Sequence, residues 1–159
     1  MVNLFRAKKA SPRLERLRNL SLFVNLTPAE LQIADGLLHE RNYLEGEVIF
    51  DQGDEGQAIY IVTSGEVLIC RQGQGDAGQV ARLGPGTFFG ELALLDNSPR
   101  SAQARAATAC QLIVFFRDDF VGLLDTHARI ASKISRELAR HLGARMRDMA
   151  LAAGAHHHL

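Results

Sequence analysis

From about residue 40 to residue 116 the chain is cut too often to run as long helices. Turn signals recur at Gly46, Gly53-Asp54-Glu55-Gly56, Ser64-Gly65, Gly73-Gln74-Gly75-Asp76 and Gly84-Pro85-Gly86. Between and after them lie short apolar segments: Val48-Ile49-Phe50, Ala58-Ile59-Tyr60-Ile61-Val62, Val67-Leu68-Ile69-Cys70, Gln79-Val80-Ala81-Arg82-Leu83, Ala104-Arg105-Ala106 and Gln111-Leu112-Ile113-Val114-Phe115-Phe116. Short strands at roughly 8–12-residue spacing predict an antiparallel sandwich, jelly roll or barrel. Strand and helix do not alternate, so a doubly wound parallel sheet is excluded.

Helical patterns flank this region. Leu14, Leu17 and Leu20 predict a short helix over 12–20. Thr27-Pro28-Ala29-Glu30 reads as a helix start. Thr27 caps, Pro28 suits the first turn and Glu30 completes a capping box. Leu31, Ala34, Leu37 and Leu38 form the expected buried stripe. Asp118 and Asp119 suit another helix N-terminus, with Phe120, Leu123 and Leu124 as its apolar patch. Ile130, Ile134, Leu138, Leu142 and Met146 then recur every four residues, predicting a long amphipathic helix over 127–151. Arg129, Lys133, Arg136, Arg140 and Arg147 fill much of its other side. The tail Ala155-His156-His157-His158-Leu159 is expected to be disordered.

The 159 residues suit one domain with a sizeable core. No apolar run approaches the length of a membrane span, and the N-terminus lacks an apolar signal core. Two cysteines, Cys70 and Cys110, are too few for a disulfide scaffold and read as buried small hydrophobes. A cytoplasmic protein is expected. The formal charge is zero, which argues against a general nucleic-acid binder. The zero hides a pattern: residues 1–18 sum to +5, residues 19–126 to −9 and residues 127–159 to +4. Basic ends flank an acidic middle, and charge is expected to hold the end helices to it.

One segment carries chemistry: Phe88-Phe89-Gly90-Glu91-Leu92-Ala93-Leu94-Leu95-Asp96-Asn97-Ser98-Pro99-Arg100-Ser101-Ala102. A short helix-like piece over 91–95, opened by Gly90, would present unpaired N–H groups to an anion. Arg100 follows Pro99 and can offer a bidentate fork to a phosphate. Glu91 is an odd phosphate ligand but suits a sugar hydroxyl. Taken singly, Glu91 also reads as a solvated first-turn acid, and Arg100 as a surface arginine. Together they point to a ligand with both a phosphate and a sugar hydroxyl. Phe88 and Phe89 read as core.

Gly-Glu-Leu-Ala-Leu followed by Pro-Arg-Ser-Ala resembles the phosphate-binding cassette of cyclic nucleotide-binding domains. Leu22-Phe23, Tyr43-Leu44-Glu45-Gly46-Glu47-Val48-Ile49-Phe50, Gln52-Gly53-Asp54, Ala58-Ile59-Tyr60-Ile61-Val62 and Ser64-Gly65-Glu66-Val67 look like that family too. The likeness covers about residues 20–126. It implies an eight-stranded antiparallel β-roll, jelly-roll-like and mainly β, with N-terminal helices, a short cassette helix and a long C-terminal helix. By position, Glu91 would hold the ribose 2′-hydroxyl, and Arg100 the cyclic phosphate. The amides of Leu92, Ala93 and Ala102 would lie near phosphate or ribose oxygens, behind the turn opened by Gly90. Ser101 would reach the phosphate or the base, and Ile69 and Leu83 would line the base pocket. The last helix would cover the base as a lid.

The expected division is a basic helical segment over 1–20, the roll over 21–126, a lid or dimer helix over 127–152 and a tail over 153–159. The expected function is a non-catalytic sensor of cAMP or cGMP that shifts its C-terminal helix. No catalytic set, metal site or cofactor is expected. Alternatives are a regulatory piece of a catabolite-activator-like transcription factor, channel or kinase, or a degenerate domain that binds no cyclic nucleotide. No recognition helix follows the last helix, so this chain alone is not expected to bind nucleic acid. Its partners would be the nucleotide, an effector protein and, through the last helix, a second copy.

Overall fold

The computed structural model describes residues 12–71 and 78–155. Two antiparallel four-stranded sheets face each other. Their strands are β1 (Leu38–Tyr43), β2 (Val48–Phe50), β3 (Ala58–Ser64), β4 (Val67–Cys70), β5 (Gln79–Leu83), β6 (Phe88–Phe89), β7 (Gln103–Ala106) and β8 (Cys110–Phe116). One sheet has the order β1-β8-β3-β6, the other β2-β7-β4-β5. Helices α1 (Pro12–Arg18), α2 (Pro28–Asp35), α3 (Arg117–Thr126) and α4 (Ala128–Ala155) flank the first sheet. This is the eight-stranded roll with flanking helices that the sequence implies.

The central strands of the first sheet, β3 and β8, are buried on both faces, which explains their unbroken apolar runs. Ile59 and Ile61 of β3, Ile113 and Phe115 of β8 and Phe88 of β6 point into a core shared with the helices. Their neighbours Ala58, Tyr60, Val62, Leu112, Val114 and Phe89 point into the roll, against Val67, Ala104 and Ala106 of the second sheet. Pairing of Tyr60 with Val114 and with Phe89 holds this register, since a one-residue slip would exchange the two cores.

The helix start at Thr27 is a full capping box. The Glu30 amide donates to Thr27 Oγ1 at 3.2 Å, and the Thr27 amide donates to the Glu30 carboxylate at 2.9 Å. The helix stops earlier than its apolar spacing predicts. It ends at Asp35 with Gly36 as cap, and Leu38 enters the same core from the first residue of β1. Strand β1 was not among the predicted segments. Four of its six residues, His39 to Asn42, are exposed, so it carries little apolar signal. Its place comes from pairing with β8 along its whole length.

His127 breaks the chain between α3 and α4 with φ −139° and ψ 64°. Phe120 and Leu123 are buried, but Leu124 is exposed. Helix α4 buries Ile130, Ala131, Ile134 and Leu138. The predicted stripe then ends: Leu142 is half-buried and Met146 is exposed. Helix α4 runs to Ala155, so residues 153–155 are helical rather than part of a disordered tail. The expectations for residues 1–11 and 156–159, and the expected turn at Gly73-Gln74-Gly75-Asp76, lie outside the described residues. Cys110 is buried as expected, but Cys70 is only half-buried. Both are free thiols.

Ion pairs tie the basic helices to the acidic middle. Arg13 of α1 meets Asp35 at 2.5 Å, and Lys133 of α4 meets Glu30 at 2.5 Å. Farther along α4, Arg145 pairs with Glu91. Among the described residues, no helix is long and apolar enough to cross a membrane.

Candidate functional site

Strand β6 places the site. Phe88 faces the helices and Phe89 faces the roll, so the next residue emerges at the seam between the two cores. Gly90 turns the chain there with φ +74°. A Cβ at this position would also sit 2.5 Å from Arg100 Nη1, so both backbone and space require glycine. A tight 3₁₀ turn, Glu91–Leu94, follows. It is shorter than the piece predicted over 91–95. Its Ala93 amide donates to the Gly90 carbonyl at 3.1 Å, so that amide is already engaged. Downstream, Asp96 Oδ1 accepts from the Ser98 amide at 2.9 Å and turns the loop back. That same bond holds the exposed Asp96 carboxyl below its usual range.

Arg100 is not a surface arginine. Its backbone is clamped to the loop before β3: the Arg100 amide donates to Asp54 O, and the Gly53 amide donates to Arg100 O, both at 2.8 Å. The side chain turns inward and is 8% exposed. Nη1 donates to Gly90 O at 3.1 Å and Nη2 to Ala58 O at 2.7 Å. The guanidinium carbon lies 4.1 Å from the Phe50 ring centroid and 5.7 Å from that of Tyr60, within cation–π range. Nε has no hydrogen-bond partner among the described residues. Two carbonyls and two rings are neutral, and among the described residues no carboxylate forms an ion pair with the buried charge; Asp54 and Glu91 favour it only from a longer distance. Burial accordingly pulls its pKa below the usual arginine value.

A pocket of about 450 Å³ opens beside these groups. All nine residues predicted to meet a ligand line it: Ile69, Leu83, Gly90, Glu91, Leu92, Ala93, Arg100, Ser101 and Ala102. Ile69 and Leu83 come from β4 and β5 of the second sheet, with Val80 and Ala81 beside them. Two further lining residues, His141 and Arg145, come from α4. The His141 ring lies 4.3 Å from that of Phe88. Glu91 is 4% exposed and forms its ion pair with Arg145. A buried cation, a buried carboxylate and a mostly apolar opposite wall thus share one cavity. Its size falls in the range of small-molecule sites, about 300–1,000 Å³.

The model of the family "Cyclic nucleotide-binding domain" matches residues 40–127. The chain belongs to this family. Among its relatives is the cyclic AMP receptor protein of Thermus thermophilus, 39% identical over 127 residues, or 79% of this chain and 59% of that one. Another is the cAMP-dependent protein kinase regulatory subunit of Mycosarcoma maydis, 32% identical over 80% of this chain and 22% of that one. The chain therefore spans only part of these relatives' length. The crystal structure of the Thermus thermophilus catabolite activator protein superposes with a TM-score of 0.73 at 38% identity, covering 85% of this chain and 62% of that one.

In this cyclic nucleotide-binding domain, the cassette and the helix that covers it are legible from sequence, but the residues that this helix brings to the pocket are not. His141 reads in sequence as one of several scattered histidines, and Arg145 is not singled out. The available signal was their i, i+4 spacing, which puts both on one helix face. Phe50 was legible as strand, but its place beneath the arginine depends on the pairing of β2 with β7.

Proposed function

We propose that this domain is a non-catalytic sensor that binds a 3′,5′-cyclic nucleotide, cAMP in the first instance, in the pocket bounded by the cassette, β4, β5 and α4. The observation that carries the reading is Arg100: a buried cation on the pocket wall that, among the described residues, has no partner at Nε and forms no ion pair. A phosphate oxygen supplies the missing charge through charge-assisted hydrogen bonds. Glu91 accepts from the ribose 2′-hydroxyl. The amides of Leu92, Ala93 and Ala102 and the hydroxyl of Ser101 sit beside the phosphate and ribose. Ala93 must give up its bond to Gly90 to donate. Ile69, Val80, Ala81 and Leu83 receive the purine face. The names of the Thermus and Mycosarcoma relatives support cAMP over cGMP.

The ligand then shifts α4, which borders the pocket through His141 and Arg145. An effector reads that shift, and binding drives it only as far as the ligand prefers one helix position over the other. Met146 and Met149 stay exposed on the far turns of α4 and offer a seam to a second copy.

Parallel calorimetric titrations with cAMP and cGMP test the reading. The expected result is saturable binding of cAMP that Arg100→Ala weakens by about tenfold to more than a hundredfold. Equal affinity in wild type and variant would refute the role of Arg100.

A further inference from the structure

Strand β2 is irregular where it reaches the pocket. Val48 pairs with Arg105 and Phe50 with Ala104, so two steps along β2 match one step along β7. In a regular strand, successive side chains face opposite sides. Here the consecutive residues Ile49 and Phe50 both pack against the interior of the roll. Such a bulge re-aims side chains, often beside a functional site. Phe50 lines the pocket, and the Arg100 guanidinium carbon lies 4.1 Å from its ring centroid.

Two further rings fix the place of this one. The Phe50 ring is 5.7 Å from that of Tyr60 and 5.9 Å from that of Phe89. Tyr60 stacks on Phe89 at 5.4 Å and 12°, and both are buried. Residues from β2, β3 and β6 thus form an aromatic floor beneath the cation. An aromatic face attracts a cation through its quadrupole while carrying no net charge. A carboxylate in the same place would form an ion pair with Arg100 and repel a phosphate. The rings hold the guanidinium without neutralising it.

We propose that Phe50 is a positioning residue for phosphate recognition: its ring seats the Arg100 guanidinium in the orientation that meets the ligand and leaves the charge available to it. This rests on the assignment of Arg100 to the phosphate made above. Phe50 acts through Arg100 and has no need to touch the nucleotide. Without the ring, the guanidinium keeps its bonds to the Gly90 and Ala58 carbonyls but loses the surface that fixes its plane. The binding-competent fraction of the free protein then falls, and apparent affinity falls with it. An aliphatic side chain would fill much of the same space but would not hold the cation.

The test is a calorimetric titration with cAMP of Phe50→Leu and of proteins whose phenylalanine 50 carries one, two or three ring fluorines. Each is made in the wild-type chain and in Arg100→Met. Fluorine drains charge from the ring face with little change of volume, so the fluorinated series keeps the packing that leucine alters. Phe50→Leu is expected to weaken cAMP about three- to tenfold, and affinity is expected to fall stepwise with each fluorine. In Arg100→Met the same changes are expected to leave affinity within about twofold. A packing role would ignore the fluorine count and persist without Arg100. A flat fluorine series in the wild-type chain, or equal losses in both backgrounds, would therefore overturn the proposal. Tighter binding in Phe50→Leu would overturn it too, because the ring would then compete with the phosphate for the cation. Where Arg100→Met binds too weakly to titrate, the fluorine series in the wild-type chain decides alone. If the wild-type protein does not bind cAMP, the ligand assignment itself fails and the proposal falls with it.

Discussion

Arg100 donates from Nη1 to the carbonyl oxygen of Gly90 at 3.1 Å, ten residues back along the cassette. The two residues define each other. Gly90 must be glycine because its φ is +74° and because the guanidinium fills the space a side chain would occupy. Gly90→Ala is therefore expected to destabilise the domain by about 1–3 kcal/mol through backbone strain alone. It also pushes the arginine off its carbonyl, so nucleotide affinity falls with it. Denaturant melts and titrations of the same variant check both effects. A variant as stable as wild type would show that the chain relaxes around the methyl group.

The charge of Arg100 and its volume do different work. Its guanidinium stacks on Phe50 and reaches two carbonyls, yet burial opposes its charge. Arg100→Met keeps much of the volume and removes the buried charge, at the cost of leaving the Gly90 and Ala58 carbonyls without donors. The opposing terms are expected to leave ligand-free stability within about 1.5 kcal/mol of wild type. Affinity for cAMP is nevertheless lost at least tenfold. Thermal melts with and without nucleotide separate the two, because wild type gains more stability by mass action from the same ligand concentration than the variant does.

What sequence made legible follows from how local each signal is. The capping box at Thr27 and Glu30, the glycine turns among the described residues and the cassette turn all depend on neighbours within a few residues, and they appear within a residue of where they are expected. Strand β1 was not predicted because its residues earn their place from β8, about seventy positions away. The Leu37–Leu38 pair fits a helical stripe because strand and helix can deliver a leucine to the same core. Arg145 carries no local signal for a related reason. On a helix rich in arginine, only the position of Glu91 singles out one of them.

Glu30 joins a helix cap to the last helix. One carboxylate oxygen accepts from the Thr27 amide at 2.9 Å and from Lys133 Nζ at 2.5 Å. The Lys133 bond first, and then the Thr27 amide, hold its pKa below the usual glutamate value. A carboxyl group lowered in the folded state adds stability that is full above its unfolded pKa and is lost as pH falls through the folded one. Acidification through that range is therefore expected to destabilise wild type more than Lys133→Met. The difference should be modest, up to about 1 kcal/mol, because water and salt reach the pair. Raising salt at neutral pH should shrink the same gap. Urea melts of both proteins across the acid range and at two salt concentrations give the comparison, and parallel curves would exclude the coupling.

Gly143→Ala probes the junction in α4 without touching the pocket. Glycine there has no positive φ, and an added Cβ meets only the flexible end of Arg147. The substitution is expected to stabilise the helix by about 0.5–1 kcal/mol, as alanine does for glycine in a helix interior. Where the gain appears is informative. If the far turns fray independently of the core, global unfolding barely changes, and slowed exchange is confined to amides around and beyond residue 143. If they unfold with the core, the whole melting curve moves up by the same free energy. The Glu91–Arg145 contact favours the first outcome, because one half-exposed ion pair is a weaker tie than the packing of Ile130, Ile134 and Leu138.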